Sequence, residues 1–362
     1  MTKSLVKEVD LQTALERVEG LSFSPVLRRK AAKGGGGGGW YPEAMIVPVA
    51  FGLVFVLGLV GNGLVLAVLG RAKPGRARSV TNVLVLNLSL ADLSFLVLCV
   101  PFQATIYTLP EWVFGALLCK WVHYFVTVTM LVSVFTLGAM AVDRYLAVVR
   151  ARRSQGVRNT RNAALGVAAI WGLSLLLAVP VPWHQALLTG VQQAPNRTFC
   201  WEQWADRTHK QVYKATVLVV GYLLPLALIC CCYAKVLFHL HRKIKNISKK
   251  SRRSKKKTAK TVMLVVAAFL LSWLPHHIIT MWVAFGNFPI TDASFVFRII
   301  AHCMVYGNSC INPIIYAFLS ENFRKACQQV FTCKCFLPPP IEEKVVRIRM
   351  ETFSTTHSIT NA

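Results

Sequence analysis

Long runs of apolar residues alternate along the chain with short polar segments. A helix that crosses the hydrocarbon core of a bilayer needs about 20 predominantly apolar residues, because its backbone polar groups must be paired inside the helix once water is excluded. Seven runs meet this requirement, and they are called spans 1 to 7 in chain order. The pattern predicts these spans at residues 44–70, 79–110, 121–142, 162–182, 215–234, 261–284 and 299–320. The predicted fold is therefore an all-α, seven-transmembrane helix bundle.

The composition agrees with a membrane protein and raises a question about charge. Apolar residues make up 54% of the chain and charged residues 15%, with a mean hydropathy of +0.48, which excludes an ordinary soluble domain. Lysine and arginine number 41 against 15 acidic residues. Such an excess fits either a nucleic-acid-binding surface or a membrane topology signal, and its distribution decides between them.

The basic residues lie mainly on one side of the predicted bundle. The connections after spans 1, 3 and 5 contain four, five and eleven lysine or arginine residues, whereas the other three contain none, three and none. Cytoplasmic loops carry the excess of basic residues in membrane proteins. The chain is therefore predicted to be a multi-pass plasma-membrane protein with its N-terminus outside and its C-terminus in the cytoplasm, and nucleic acid is not an expected partner. The two sets of connections are residues 71–78, 150–161 and 242–260, and residues 111–118, 183–212 and 285–297.

The segments outside the bundle, which is predicted to occupy residues 44–320, differ in composition. Residues 1–43 are predicted to be a flexible extracellular extension, since they are mostly polar and include six consecutive glycines. No cleavable signal peptide is expected there, so span 1 would also act as the targeting signal. Residues 321–335 mix basic and aromatic side chains, which predicts an interfacial amphipathic helix ending in two palmitoylation candidates, Cys333 and Cys335. The remainder, residues 336–362, is predicted to be a cytoplasmic tail.

Polar residues inside the spans are functional candidates, because burying them in a bilayer is costly. Asp92 is the acidic residue in the middle of a span, and Asn62 and Ser309 are further polar residues at mid-span positions. Carboxylate, amide and hydroxyl oxygens are ligands for hard cations, so a sodium site is one interpretation. A polar network that joins the helices is an equally good one. The candidate sodium ligands are Asp92, Ser133, Asn308 and Asn312.

Six short motifs occur in order on six of the spans. They are Gly61-Asn62, LSLAD ending at Asp92, Asp143-Arg144-Tyr145, Trp171, SWLP ending at Pro275, and NPIIY from Asn312 to Tyr316. Together they resemble the rhodopsin-like (class A) G-protein-coupled receptors. Four longer segments resemble the galanin receptors, especially those of type one. These are PFQA at 101–104, FCWEQW at 199–204, PHHII at 275–279 and AFLSENFRK at 317–325.

The resemblance implies an activation switch. Asp143 beside Arg144 would form an ion pair that restrains the arginine until activation frees it toward a G protein, although the residues alone also fit an interfacial anchor pair. Lys255 stands where some family members have a second acidic partner, so the restraint is predicted to be weak. In span 6, Trp273 lies beside Pro275, whose missing backbone donor allows the helix to hinge. The implied switch residues are Asp143, Arg144, Tyr145, Tyr233, Phe269, Trp273, Pro275, Asn312, Pro313 and Tyr316.

A peptide is the ligand class that the residues and the resemblance favour. Val126 stands where amine receptors of the family have a carboxylate, and span 7 contains no lysine to bind retinal. In the galanin receptors the residue matched by His277 faces the peptide, and the residue matched by Phe295 is an outer-loop aromatic that stacks on it. Adjacent His276 and His277 lie about 100° apart on a helix, so no metal site is expected there. The predicted ligand-binding residues are Gln103, His123, Tyr124, Trp201, Glu202, His277 and Phe295.

Three residues on the predicted outer side are candidates for covalent chemistry. Cys119 at the start of span 3 and Cys200 in the second outer loop both face an oxidising compartment, which favours a disulfide between them. The other cysteines are scattered and form neither a disulfide framework nor a zinc module. Asn196 begins an N-x-T sequon in the same loop and is a predicted glycosylation site.

The predicted function is a receptor, not an enzyme, for galanin or a galanin-like peptide such as spexin. Val126, Thr280 and Ala284 stand where type-one receptors have Phe, His and Glu, so a different peptide remains the alternative. The resemblance implies a heterotrimeric G protein of the Gi/o class, with inhibition of adenylyl cyclase, as the partner. Membrane lipids, and arrestin and a receptor kinase at the serine- and threonine-rich tail, are further predicted partners. A transporter would show repeated halves and an intramembrane enzyme a nucleophile motif, and neither is evident.

Overall fold

The structure, a computed structural model, describes residues 43–70, 79–109, 111–189, 196–242, 249–289, 291–319, 323 and 327–328. Within these residues, seven helical segments are long and apolar enough to cross a membrane, which confirms the predicted fold class. Residues 1–42 of the predicted N-terminal extension, most of the amphipathic helix, the palmitoylation candidates and the tail lie outside the described residues. Residue 43 already belongs to span 1.

The spans extend beyond their predicted ends, and several consist of more than one helix. Span 1 is Glu43–Gly70, span 3 is Gly115–Val148, span 6 is Lys249–Phe285 and span 7 is Asp292–Leu319. Span 2 comprises Val80–Leu98 and Val100–Thr108, and span 4 comprises Thr160–Ala178 and Pro180–His184. Span 5 comprises Arg207–Leu218, a π-helical turn at Val219–Leu223 and Leu224–Arg242. A hairpin of two antiparallel strands, β1 (Gln185–Leu188) and β2 (Phe199–Glu202), joins spans 4 and 5.

Prolines and capping side chains explain where these helices begin and divide. Proline lacks a backbone donor and is well placed in the first helical turn, and Pro101 and Pro180 both occupy such positions. The side chains of Ser79, Asn159 and Asp206 accept hydrogen bonds from backbone N–H groups two or three residues further on. Each cap supplies a partner for a donor that the helix itself leaves unpaired.

Span 3 lies at the centre of the bundle, and spans 1 and 4 lie at its edge. Of the 18 most apolar consecutive residues in each span, 67% are buried in span 3, against 17% in span 1 and 11% in span 4. Large apolar side chains such as Leu53 and Leu176 are exposed, as expected for surfaces that face lipid. Polar side chains, by contrast, are buried inside: Asn87 accepts a hydrogen bond from the Trp171 indole N–H at 2.8 Å and donates to the Thr136 hydroxyl at 2.8 Å, linking spans 2, 3 and 4.

Gly61 permits a close approach between spans 1 and 7. A Cβ atom at this position would lie 2.9 Å from the Cβ of Pro313, which is too short for a van der Waals contact. Gly63, two residues further along the same helix, has open space where its own Cβ would lie. The motif glycine at position 61 is therefore explained by packing against the proline of the span 7 motif.

Candidate functional site

A disulfide ties the hairpin to span 3. Cys119 in the first turns of span 3 is bonded to Cys200 of β2, 81 residues further along the chain, which confirms the predicted bridge. The end of the bundle that carries this bridge is called the outer end, and the opposite end, where Arg144 lies, is called the inner end. Side chains two residues apart on a strand share a face, so Cys200 and Glu202 lie on one face of β2 and Trp201 on the other.

Glu202 forms an ion pair at the junction of the hairpin and span 5. The Lys214 ammonium lies 2.6 Å from Oε1 of Glu202, and the Trp204 indole N–H donates to the same oxygen at 2.8 Å. Burial alone would raise the pKa of the Glu202 carboxyl, but the Lys214 ammonium and the Trp204 donor stabilise the carboxylate and hold its pKa at about 2. Trp204 is stacked on His184, with ring centroids 3.5 Å apart, and is tilted against Tyr213 at 5.5 Å.

A series of aromatic and imidazole rings lies below the hairpin and joins spans 1, 6 and 7, and a hydrogen bond connects it to span 2. His276 of span 6 contacts His302 of span 7 at a centroid distance of 6.1 Å, and His302 is stacked on Tyr306 at the same distance. Tyr306 packs edge to face on Phe51 at 4.7 Å, and its hydroxyl donates to the Gln103 side chain at 3.1 Å. Sequence reasoning included Gln103 but missed His302 and Tyr306, since neither belongs to a motif.

His277 has an unsatisfied ring nitrogen. The side chain is 5% exposed, its ring lies 4.7 Å from that of Tyr222, and its Nε2 has no hydrogen-bond partner among the described residues. A buried polar atom without a partner is costly, and a ligand or water that supplies one would be bound favourably. The structure therefore supports His277 as a ligand-binding residue independently of the family resemblance.

The structure places two of the other predicted ligand residues away from this cluster and corrects the position of a third. The Tyr124 hydroxyl donates to the Leu175 carbonyl of span 4 at 3.1 Å, because Tyr124 points about 100° away from its neighbour His123 on the helix. Trp201 lies on the hairpin face opposite Glu202. Phe295 belongs to the first turn of span 7 and is 5% exposed, so its assignment to an outer loop is wrong.

His123 lies close to the disulfide without forming a metal site. Its Nδ1 is 2.8 Å from the Cys119 carbonyl oxygen and 3.7 Å from the Cys200 sulfur. The three side chains have a spacing that would suit a metal ion. Both sulfurs are already bonded to one another, however, so they provide no thiolate ligands. His123 instead places an imidazole on the same side of the hairpin as Glu202.

Asp92 lies in a polar cluster between spans 1, 2 and 7. The carboxylate is 2% exposed and accepts a hydrogen bond from Asn312 at 2.8 Å, and the Ser309 side chain lies close enough to interact with it. Asn62 donates to the Ser309 carbonyl at 2.8 Å, while its own side-chain oxygen has no partner among the described residues. Ser133 and Asn308 are both buried, but neither is hydrogen-bonded to Asp92 within the part of the chain described here.

The side chains around the proline of span 6 connect the outer cluster with the interior. Trp273 is 5% exposed and contacts His277 above it, with ring centroids 6.2 Å apart, and Phe269 one turn below, at 5.8 Å. Pro275 interrupts the hydrogen bonding of the helix. The Tyr222 hydroxyl of span 5 donates to the Leu270 carbonyl at 2.8 Å, which supports the helix close to this interruption.

Arg144 at the inner end is held by two groups. It donates to the Asp143 carboxylate and to the hydroxyl of Thr81 in span 2, and Thr81 in turn donates to Asp143 at 2.9 Å. The other Asp143 oxygen accepts from Arg158 at 2.8 Å. Sequence reasoning named Asp143 as the partner and missed both Thr81 and Arg158.

Two further predicted switch tyrosines lie near the inner end. Tyr233 is 6% exposed, and its hydroxyl has no partner among the described residues. Tyr145 accepts a hydrogen bond from Arg150 at 3.2 Å, and the Lys235 ammonium lies 5.8 Å from its ring centroid. The side chains of Tyr316 and Lys255 lie outside the described part of the structure.

Comparison with known proteins places these features in a family context. A family model described as "7 transmembrane receptor (rhodopsin family)" matches residues 61–316. The chain is 62% identical to galanin receptor type 1 of Homo sapiens over 291 residues, which cover 80% of this chain and 83% of that receptor. Identity to galanin receptor type 1 of Mus musculus is 58% over 316 residues, covering 87% and 90%. Galanin receptor type 2 of Homo sapiens is 45% identical over 293 residues, covering 80% and 74%.

Proposed function

The chain belongs to the rhodopsin family of seven-transmembrane receptors and, within it, to the galanin receptors, and we propose that it binds galanin or a related peptide such as spexin and signals through a Gi/o protein. It is a multi-pass plasma-membrane receptor and not an enzyme. The proposed result of peptide binding is inhibition of adenylyl cyclase. The N-terminus and the outer end would face the extracellular medium, as the distribution of basic residues predicts.

The observation that carries the proposal is the unsatisfied Nε2 of His277 below a doubly anchored hairpin. The hairpin is fixed to span 3 by the Cys119–Cys200 bond and to span 5 by the Glu202–Lys214 pair. A peptide segment beneath the hairpin would offer backbone and side-chain groups to the imidazole. Contact with His277 would reach Trp273 directly, since the two rings are adjacent.

The inner end supports a G-protein partner. Arg144 is restrained by Asp143 and Thr81, so its release would expose a guanidinium to a cytoplasmic protein. The names of the galanin receptor relatives support galanin as the peptide, and the type 1 resemblance is the reason for choosing Gi/o. Lys255 is predicted to leave this restraint weaker than in receptors with a second acidic partner.

We also propose that the polar cluster around Asp92 holds a sodium ion. The oxygens of Asp92, Asn312 and Ser309 are suitable ligands, and the unpartnered Asn62 side-chain oxygen is a further acceptor in the same cluster. When bound, sodium would neutralise a carboxylate that is buried among uncharged groups. Ser133 and Asn308 are also buried, and they stay predicted ligands.

Three modifications and two partners remain predictions. Asn196 is exposed beside the hairpin, which would allow a glycan to be attached there. Palmitoylation of Cys333 and Cys335, and binding of arrestin and a receptor kinase, concern residues outside the described part of the chain.

The experiment is to apply galanin and spexin separately to cells that express the receptor and to measure forskolin-stimulated cyclic AMP. We expect galanin to lower cyclic AMP and pertussis toxin to abolish the effect. His277→Ala should raise the half-maximal galanin concentration about tenfold or more, because a buried ligand hydrogen bond is lost. His209→Ala is the matched control, since that histidine is 79% exposed.

Two outcomes would contradict separate parts of the proposal. If neither peptide produces a response through any G protein at a verified surface level, the ligand assignment is wrong. A calcium response that pertussis toxin does not affect, with unchanged cyclic AMP, would refute only the choice of Gi/o.

A further inference from the structure

The Glu202–Lys214 ion pair faces the ligand side of the hairpin. Glu202 lies on the same strand face as Cys200, whose sulfur is 3.7 Å from His123. The Lys214 ammonium is close enough to His123 and His276 to interact with both electrostatically. The pair therefore lies where the hairpin, span 3, span 5 and span 6 meet, beside the proposed peptide site.

Glu202 is also held in place without Lys214. The Trp204 indole donates to its Oε1, and Trp204 is itself fixed by stacking on His184. Removal of the lysine charge would therefore leave an oriented carboxyl group beside the ligand site. With Lys214 present, the two unit charges lie 2.6 Å apart and largely cancel for a group that approaches from the ligand side.

We infer that Lys214 determines the charge selectivity of the outer site: by neutralising Glu202, it prevents this carboxylate from binding a cationic ligand group, so that the site takes an uncharged peptide segment. This inference rests on the proposed peptide ligand. The same carboxylate without its lysine would act as a counter-ion for an ammonium or guanidinium group. Lys214 is thus a specificity-determining residue that no sequence motif indicates, and Glu202 acts as its partner and not as a direct anchor for a basic residue.

The first test measures the affinity of galanin analogues in which each uncharged position is replaced in turn by lysine or by glutamate. For each position, the ratio of the two dissociation constants, glutamate analogue over lysine analogue, reports charge preference. At the position that lies against the pair, Lys214→Gln should raise this ratio about fivefold to tenfold, and Glu202→Gln should lower it by a similar factor. The double variant should return to the wild-type ratio, because neither charge remains.

Lys120→Gln is the matched control, since Lys120 is an exposed lysine in the first turns of span 3. A purely structural role for the pair would weaken all analogues alike and leave the ratio unchanged. An unchanged ratio at every position in both Lys214→Gln and Glu202→Gln would overturn the inference. If Lys214→Gln fails to reach the cell surface, the opposite shift in Glu202→Gln still decides the question.

The second test does not depend on the peptide. Thr280 lies one turn outward from His276 on the same helix and provides a position for a reporter cysteine. In Thr280→Cys, the reaction rates with a cationic and an anionic methanethiosulfonate reagent are compared, after subtraction of the rates for the native cysteines. When Lys214→Gln is added to this variant, the ratio of the cationic to the anionic reaction rate should rise about threefold to tenfold. When Glu202→Gln is added instead, the ratio should fall.

The two tests separate this inference from the proposed function. If galanin does not bind the wild-type receptor but the reagent ratio shifts as expected, the ligand assignment fails and the charge argument stands. If galanin binds and neither ratio shifts, the ligand assignment stands and the charge argument is refuted.

Discussion

Replacement of Thr81 by valine should increase ligand-free signalling. The Thr81 hydroxyl accepts a hydrogen bond from Arg144 and donates one to Asp143 at 2.9 Å. Valine keeps the branched shape of threonine and removes the hydroxyl, so the substitution tests this hydrogen bonding with little change in packing. If Arg144 must leave this arrangement to contact a G protein, the valine variant stabilises the restrained state less than the wild type does.

The size of the effect follows from the exposure of the groups. A hydrogen bond to a charged group contributes about 1.5–3 kcal/mol when it is well shielded. The Arg144 side chain is 14% exposed, so water can replace part of the lost interaction, and about 1 kcal/mol is a reasonable expectation. A change of that size multiplies the ratio of active to inactive receptor by about five.

The assay is nucleotide exchange on a purified G protein, measured in membranes without peptide and at matched receptor levels. Thr216→Val is the control, because that hydroxyl donates only within its own helix, to the Val212 carbonyl. Galanin should bind Thr81→Val at least as tightly as the wild type. Equal basal exchange in the two valine variants would refute the view that Thr81 restrains Arg144.

Three further predictions concern other parts of the bundle. Serine at Cys119 or at Cys200 should abolish surface expression or galanin binding, measured by cell-surface labelling and radioligand binding; normal binding in both variants would show that the bridge is dispensable. Added sodium, but not an equal concentration of a large organic cation, should weaken galanin binding, and Asp92→Asn should remove the difference; a persistent sodium effect would place the ion elsewhere. Gly61→Ala should destabilise the detergent-solubilised receptor by about 1–3 kcal/mol more than Gly63→Ala, measured as a lower thermal midpoint, and equal midpoints would contradict the packing argument.

The sequence predicted the number and order of the spans because their apolar length is a strong constraint in a bilayer. It predicted their ends less well. Span 5 was expected from residue 215 but begins at Arg207, since Asp206 caps a polar first section that precedes the apolar run. Span 3 likewise begins six residues early, at Gly115, whose φ of 74° lets the chain turn into the helix.

The candidate site was predictable where a motif or a compartment rule applied, as for Cys119 and Cys200. It was not predictable where the chemistry depends on a partner from a distant span. Thr81 and Lys214 are ordinary residues in the sequence, and only the fold places one beside Arg144 and the other beside Glu202. A signal for Lys214 existed, since it is a charged residue directly before an apolar run, but its partner on the hairpin could not be identified without the structure.

Spans 3 and 6 both connect the outer site with the inner end, but they differ in how readily they can move. Span 3 is held by the disulfide near its first turn and is largely buried along its length, so a shift along its axis would disturb packing on every side. Span 6 contains Pro275, and Trp273 lies directly below the His277 ring that a peptide would contact. Bending at a proline costs little hydrogen bonding, because one bond is already absent. We therefore expect peptide binding to reach Arg144 through a change in the bend of span 6, with span 3 as the fixed element against which it moves.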